Sequence, residues 1–223
     1  VAILVLGIGW EIATWPDVAV LVKSNPQRTA FIERYKAGQR SAGKSDSVAW
    51  RFVPYDAIAK DLKHAVIVSE DIDFFSHHGF ATEEMKNALR DAWEEKELPR
   101  GASTLTQQLA KNLWLSPSRN PLRKVKEAML TRELEAKLTK RRILELYLNV
   151  AEFGEGIYGA EAASRRYFGI SAAELSRQQA AALAGSLPSP AHWHPGSTSP
   201  VYLRRVQRIV GRVEKTGWLL GEL

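Results

Sequence analysis

The sequence predicts a mainly α fold, and three observations carry that expectation. Apolar residues recur at helical spacing in separate segments: Ile58, Leu62, Ala65 and Val66; Leu105, Leu109 and Leu113; Ile143, Leu144, Tyr147 and Leu148. Helix-start chemistry stands where those segments need it. Thr104 with Gln107 and Ser171 with Glu174 fit the capping box, and Thr139 directly precedes KRRILELYLNV. The period-two alternation of half-buried strands is nearly absent. With 223 residues and 45% hydrophobic content, the chain can build a core in one large domain or two small lobes without covalent staples. There is no cysteine, which excludes disulfides, thiolate metal sites and cysteine nucleophiles.

In chain order, the apolar opening VAILVLGIGW is too short to cross a hydrocarbon core that needs about 20 residues. It reads as the end of a spanning helix, with Trp10 and Trp15 at the interface and residues 1–22 forming a transmembrane stub and membrane-proximal segment. Residues 36–49 are small and polar and read as a connection. Pro54 to Val68 reads as a helix with proline in its first turn, delivering Ser69, Glu70 and Asp71 at the end of an apolar run. Thr82 caps a helix over EEMKNALRDAWEEKEL whose apolar set, Met85, Leu89, Ala92 and Trp93, is thin; Pro99-Arg100-Gly101 breaks it. The next helix begins at Ser103 or Thr104. On it Thr104, Gln108 and Lys111 fall within about 60° of one another, opposite a stripe of Leu105, Leu109 and Leu113.

Asn120-Pro121 opens a long helix to about Leu138, on which Arg123 and Glu127 are spaced to pair. After the Thr139-capped helix, Gly154, Gly156 and Gly159 imply a tight turn and close packing of a small-residue helix from Ala160. Gln178 to Leu187 is alanine-rich and core-like, and Ser199-Pro200 starts a final basic helix that Gly217 should end.

The net charge is +6, and it is unevenly placed. Between Arg119 and Arg142 nine basic residues face only Glu127, Glu133 and Glu135, an excess equal to that of the whole chain. Such a block suits phosphate, an anionic membrane or nucleic acid, and it equally suits a solvated helix face. Adjacent carboxylates at the end of an apolar helix oppose the helix dipole. That cost points to Glu70 as a base, since apolar surroundings disfavour the ionised carboxylate and raise its pKa. His77 and His78, being sequence neighbours, read as hydrogen-bonding groups rather than as ligands of one metal ion.

These segments together resemble the peptidoglycan glycosyltransferase family. EDIDFFSHHG fits its first motif through Glu70, Asp71, Phe74, His77 and Gly79. GASTLTQQLAKN fits the second through Gly101, Ser103, Thr104, Thr106, Gln107, Gln108, Lys111 and Asn112. Arg123, Lys124 and Glu127 match Arg-Lys-x-x-Glu, and KRRILELYLN with the glycine-rich stretch to YFG supplies the later motifs.

The resemblance implies a lysozyme-like helical head lobe with a smaller membrane-proximal jaw lobe, within a domain over 23–223 whose motif core spans about 50–190. It implies a monofunctional enzyme at the bacterial cytoplasmic membrane, held by a single-pass anchor with its domain on the extracytoplasmic face. The implied partners are lipid II, the growing glycan strand, the membrane and other cell-wall synthesis proteins, and not nucleic acid. The implied reaction joins a GlcNAc 4-hydroxyl to the anomeric carbon of a lipid-linked MurNAc and expels undecaprenyl diphosphate. Glu70 would be the base and Asp71 its support. Lys111, Arg123 and Lys124 would meet the diphosphate, with Thr104 and Gln108 as neutral donors. The motifs also place Phe74, His77, Ser103, Gln107 and Asn112 at the substrate site. The family gives Glu127 an essential role: orienting the cations, or holding Mg²⁺ or Mn²⁺, ahead of donating a proton. No organic cofactor is implied. Two other readings stay open: a lytic transglycosylase or lysozyme-like hydrolase, and a noncatalytic basic binding module.

Overall fold

The computed structural model describes residues 14–81, 103–116 and 121–223. The apolar opening, the expected helix after Thr82, the break at Pro99 to Gly101 and the Asn120 cap lie outside the described residues. Among those residues, eight α-helices carry the fold: α1 (Ala30–Ser41), α2 (Lys60–Glu70), α3 (Leu105–Trp114), α4 (Pro121–Lys137), α5 (Lys140–Val150), α6 (Ala160–Phe168), α7 (Arg177–Ser186) and α8 (Pro200–Lys215). The little sheet present has order β1-β3-β2, from β1 (Ala49–Trp50), β2 (Glu152–Gly154) and β3 (Ile157–Tyr158), with β1 parallel and β2 antiparallel to β3. Mainly α is therefore the architecture. The strands are too short for any alternation to show in the sequence.

Two boundaries differ from expectation. The connection read over 36–49 is helical as far as Ser41, because Thr29 caps α1 by accepting from Ile32 N–H and Ile32 anchors it in the core. The helix read from Pro54 is interrupted: a 3₁₀ turn occupies Tyr55–Ala57, and α2 begins at Lys60. There the Ala59 N–H bonds to the Ala172 carbonyl, so the chain between the two is tied sideways and does not continue the helix. At its other end Glu70 is the last residue of α2 and Asp71 its C-cap. The end of α8 agrees with expectation: the helix stops at Lys215 with Thr216 as its C-cap, and Gly217 follows and starts a 3₁₀ turn (Gly217–Gly221).

Two groups of helices meet at the C-terminal end of α2. In one, α2 packs on α7 and α8; in the other, α3 packs on α4 and α5, with α1 against α3. Alanines in α7 (Ala180, Ala181 and Ala184, all fully buried) let its neighbours approach closely. A Cβ at Gly185 would stand 3.0 Å from Val206 of α8. Leu62, Val66 and Ile67 of α2 and Leu105 and Leu109 of α3 are fully buried. Each such side chain contributes about 1.5–3 kcal/mol from burial.

Polar side chains then fix how the layers sit. Asn149, fully buried at the end of α5, accepts from Val53 N–H (2.8 Å) and donates to the Val53 carbonyl (3.0 Å), while its own carbonyl accepts from Trp50 Nε1 (2.8 Å). On α8, Arg212 donates to the Val68 carbonyl (3.1 Å), satisfying an orphan carbonyl in the last turn of α2.

Candidate active site

The site is built where α2 ends. The Glu70 side chain is 11% exposed; its Oε2 accepts from Gln108 Nε2 at 3.1 Å and its Oε1 from Arg205 Nη2 at 2.6 Å. Gln108 is itself held, because its Oε1 accepts from the buried Tyr147 hydroxyl at 2.9 Å. Burial raises the Glu70 pKa above its ordinary value, against the lowering effects of the Gln108 hydrogen bond and the charges of Arg205 and Lys111. The same surroundings push the Tyr147 phenol well up, so it stays protonated as the donor to Gln108.

Asp71 faces the other way. Buried at 3% exposure, it accepts from Leu105 N–H (2.8 Å), the first residue of α3, and from His77 Nε2 (2.8 Å). Gly79 N–H donates to His77 Nδ1 at 3.0 Å, which makes Nδ1 the acceptor and leaves the proton on Nε2, pointed at Asp71. Gly79 has φ +88°, and a Cβ there would stand 2.8 Å from Thr131 Cγ2 on α4. Only glycine lets this loop lie on α4 in that conformation. The Gly79 carbonyl accepts the Thr104 hydroxyl at 2.8 Å, and Thr104 and Gln107 complete the capping box of α3. One chain of bonds thus runs from α2 through the loop to the start of α3, setting Glu70 and Gln108 in register.

The cations lie on α3 and α4. Lys111 is largely enclosed; burial lowers its pKa, and it is coupled to Glu127, Arg123, Lys124 and Glu70. Glu127 is 3% exposed and takes Arg123 Nη1 at 2.6 Å on one oxygen and Lys124 Nζ on the other. The Arg123 and Glu127 spacing does make a pair. Glu127, Leu130 and Thr131 of α4 point inward, while Leu122, Val125 and Met129 are more than half exposed. Both oxygens of Glu127 are engaged by cations. Among the described residues no three acidic or imidazole side chains gather at one point. The donors present do not make a ready ligand set for Mg²⁺ or Mn²⁺.

Glu70, Gln108, Lys111, Arg123, Lys124 and Glu127 are therefore one electrostatically coupled group. Phe74, His77, Thr104, Gln107 and Asn112 stand behind it. Phe74 is fully buried, edge-on to Phe75 with Lys140 Nζ 4.5 Å from its ring centre, and Asn112 shares the buried face of α3 with Leu105 and Leu109. The Thr104 hydroxyl is turned to Gly79, and the Ser103 carbonyl accepts from Gln108 Nε2 at 3.3 Å. Sequence reasoning missed Arg205 and Tyr147. The signal for Arg205 was its place in YLRRVQRIV, at the margin of the inward stripe of Tyr202, Val206, Ile209 and Val213.

Residues 38–214 match the family model described as Transglycosylase. The chain belongs to the transglycosylase family. Among its relatives, a biosynthetic peptidoglycan transglycosylase of Thiobacillus denitrificans is 42% identical over 95% of this chain and 93% of its own length. One of the same description from Laribacter hongkongensis is 37% identical over 95% and 93%. Another, from Neisseria gonorrhoeae, is 45% identical over 77% and 75%. The transglycosylase match spans α2 to α8 and so includes every residue of the coupled group, together with Arg205.

Proposed function

We propose that this transglycosylase is a peptidoglycan glycosyltransferase that polymerises lipid II into β(1→4) glycan strands, releasing undecaprenyl diphosphate with inversion at the anomeric carbon. The observation that carries the reading is a largely buried carboxylate, Glu70, coupled through Lys111 to cations held in place by Glu127. Glu70 takes the proton from the acceptor 4-hydroxyl as its oxygen bonds to the anomeric carbon. The bond to the diphosphate breaks with its electron pair going to the leaving group. Lys111, Arg123 and Lys124 meet the charge that develops, which is the largest service a site of this kind offers. Asp71, His77 and Thr104 position the base and Gln108. Glu127 orients Arg123 and Lys124.

A hydrolase of the same polymer would need a protonated acid beside a neutral glycosidic oxygen. Here the cations gathered beside Glu70, namely Lys111, Arg123 and Lys124, have no use in that chemistry. The relatives' names point the same way.

Among the described residues no helix is long and apolar enough to cross a membrane. Support for a membrane-proximal enzyme lies in the outward face of α4, where Leu122, Val125 and Met129 stand beside Lys124 and Lys126, with Val20 and Val22 exposed on the 3₁₀ turn (Val18–Val22) that packs on α4. Apolar side chains rimmed by lysine suit an anionic bilayer surface. A bacterial envelope location, with other cell-wall synthesis proteins as partners, follows from the same reading.

Purified protein given labelled lipid II should yield long glycan, and Glu70→Gln should reduce the rate by about 10²–10⁴-fold. Soluble fragments from finished peptidoglycan with no polymer would favour the hydrolase. Unchanged polymerisation by Glu70→Gln would remove Glu70 as the base.

A further inference from the structure

Arg205 and Glu70 are 135 residues apart in sequence, yet their side chains meet at 2.6 Å. The contact is direct and enclosed, with Arg205 24% and Glu70 11% exposed. It is also incomplete. Among the described residues Nη2 is the only guanidinium nitrogen of Arg205 with a hydrogen-bond acceptor, and Nε is buried without one. A guanidinium presents five donors in a planar fork, and a single contact to one carboxylate oxygen uses little of it. A buried donor left without an acceptor is costly, so the resting arrangement is one from which Arg205 gains by finding a further acceptor. For the base it poses a second difficulty, because a carboxylate held by a guanidinium has given up part of its affinity for a proton.

Resting on the glycosyltransferase reading, we propose that Arg205 is an exchangeable counter-ion: it holds Glu70 in the free enzyme and moves to the donor's diphosphate in the complex, freeing the base. The diphosphate is a better partner for the fork than one carboxylate oxygen, because its oxygens accept bidentately. Arg205 then adds to Lys111, Arg123 and Lys124 at the leaving group. The carboxylate regains basicity only when a donor is present, so proton abstraction is coupled to occupancy of the donor site.

Every charged or titratable group among the described residues that faces Glu70 bears on the test. From α3 these are Lys111 and the donor Gln108, from α8 Arg205, from the chain itself Asp71, and from α5 Tyr147. Among the described residues only Arg205 is paired to Glu70 as an ion at contact distance.

The experiment is the pH dependence of initial rates with lipid II, resolved into kcat/KM and kcat. The first reports ionisations of the free enzyme and the second those of the complex. In the wild type the acid limb of kcat should lie at higher pH than that of kcat/KM. Arg205→Met should move the kcat/KM limb up by about one pH unit or more and lower kcat, while leaving the kcat limb near its wild-type position. Arg205→Lys, which keeps the charge, should leave the kcat/KM limb close to wild type. Coincident limbs in the wild type, or both limbs rising together in Arg205→Met, would show that Arg205 stays on Glu70 through the reaction and would overturn the exchange. The wild-type comparison holds even where the methionine variant does not fold. Failure of the glycosyltransferase reading would be seen separately, as soluble fragments released from finished peptidoglycan with no polymer formed from lipid II.

Discussion

Replacing Asp71 by asparagine tests the framework behind the site, because the hydrogen-bond directions around that carboxylate allow no neutral substitute. Both its oxygens accept, one from Leu105 N–H and one from His77 Nε2, each at 2.8 Å. Asparagine keeps one acceptor and turns the other position into an NH₂ donor, which would then face a donor. His77 cannot resolve the conflict by moving its proton to Nδ1, since Nδ1 already receives Gly79 N–H at 3.0 Å. One buried donor is therefore left unmade whichever way the amide turns, at about 1–3 kcal/mol. Removing negative charge from the first turn of α3 adds about 0.3–2 kcal/mol. Asp71→Asn should thus destabilise the protein by about 1–5 kcal/mol. In urea titration followed by circular dichroism, the midpoint should fall with the slope unchanged. Polymerisation should fall as well, since the same bonds set Gln108 against Glu70. A loss under about 0.5 kcal/mol, the size of an ordinary surface substitution, would refute the reasoning.

Two other outcomes follow from the electrostatics. Activity against pH should be bell-shaped: Glu70 must be ionised to act, and burial raises its pKa above 4.5, so the acid limb should lie above the ordinary carboxylate range; Lys111 must be charged, and burial lowers its pKa from 10.5, so the alkaline limb should fall below the ordinary lysine range. An acid limb at or below the ordinary carboxylate range together with an alkaline limb at or above the ordinary lysine range would count against both assignments. Glu127→Gln should leave Arg123 and Lys124 without their shared counter-charge beside Lys111, reducing kcat/KM by about 10–100-fold and making added inorganic pyrophosphate raise the melting temperature more than it does in the wild type. Loss of kcat with an unchanged pyrophosphate response would point instead to proton donation by Glu127.

Much of this protein was readable along the chain because its signals are local. The capping box at Thr104 and Gln107, the Thr139 cap and the alanine-rich α7 each depend on residues within one or two turns, and all appear where expected. The pairing of Arg123 with Glu127 is equally local. Motif order likewise brought out Glu70, Gln108, Lys111, Arg123 and Lys124 before any geometry was known. What failed locally was the extent of α1 and the start of α2. In the second case the reason is a bond from Ala59 to Ala172, over a hundred residues away.

The sequence by itself determined that the chain would be helical and which faces would be apolar. Those are properties of spacing and composition within segments. Only the tertiary structure decided that Glu70 ends α2 between Gln108 and Arg205, that Asp71 and His77 face the start of α3 rather than the cations, and that α4 buries Glu127 beside Leu130 and Leu134 while leaving Leu122, Val125 and Met129 exposed. Each depends on the closing of α8 over α2 and of α3 over α4, where contacts between residues far apart in sequence outweigh any local preference.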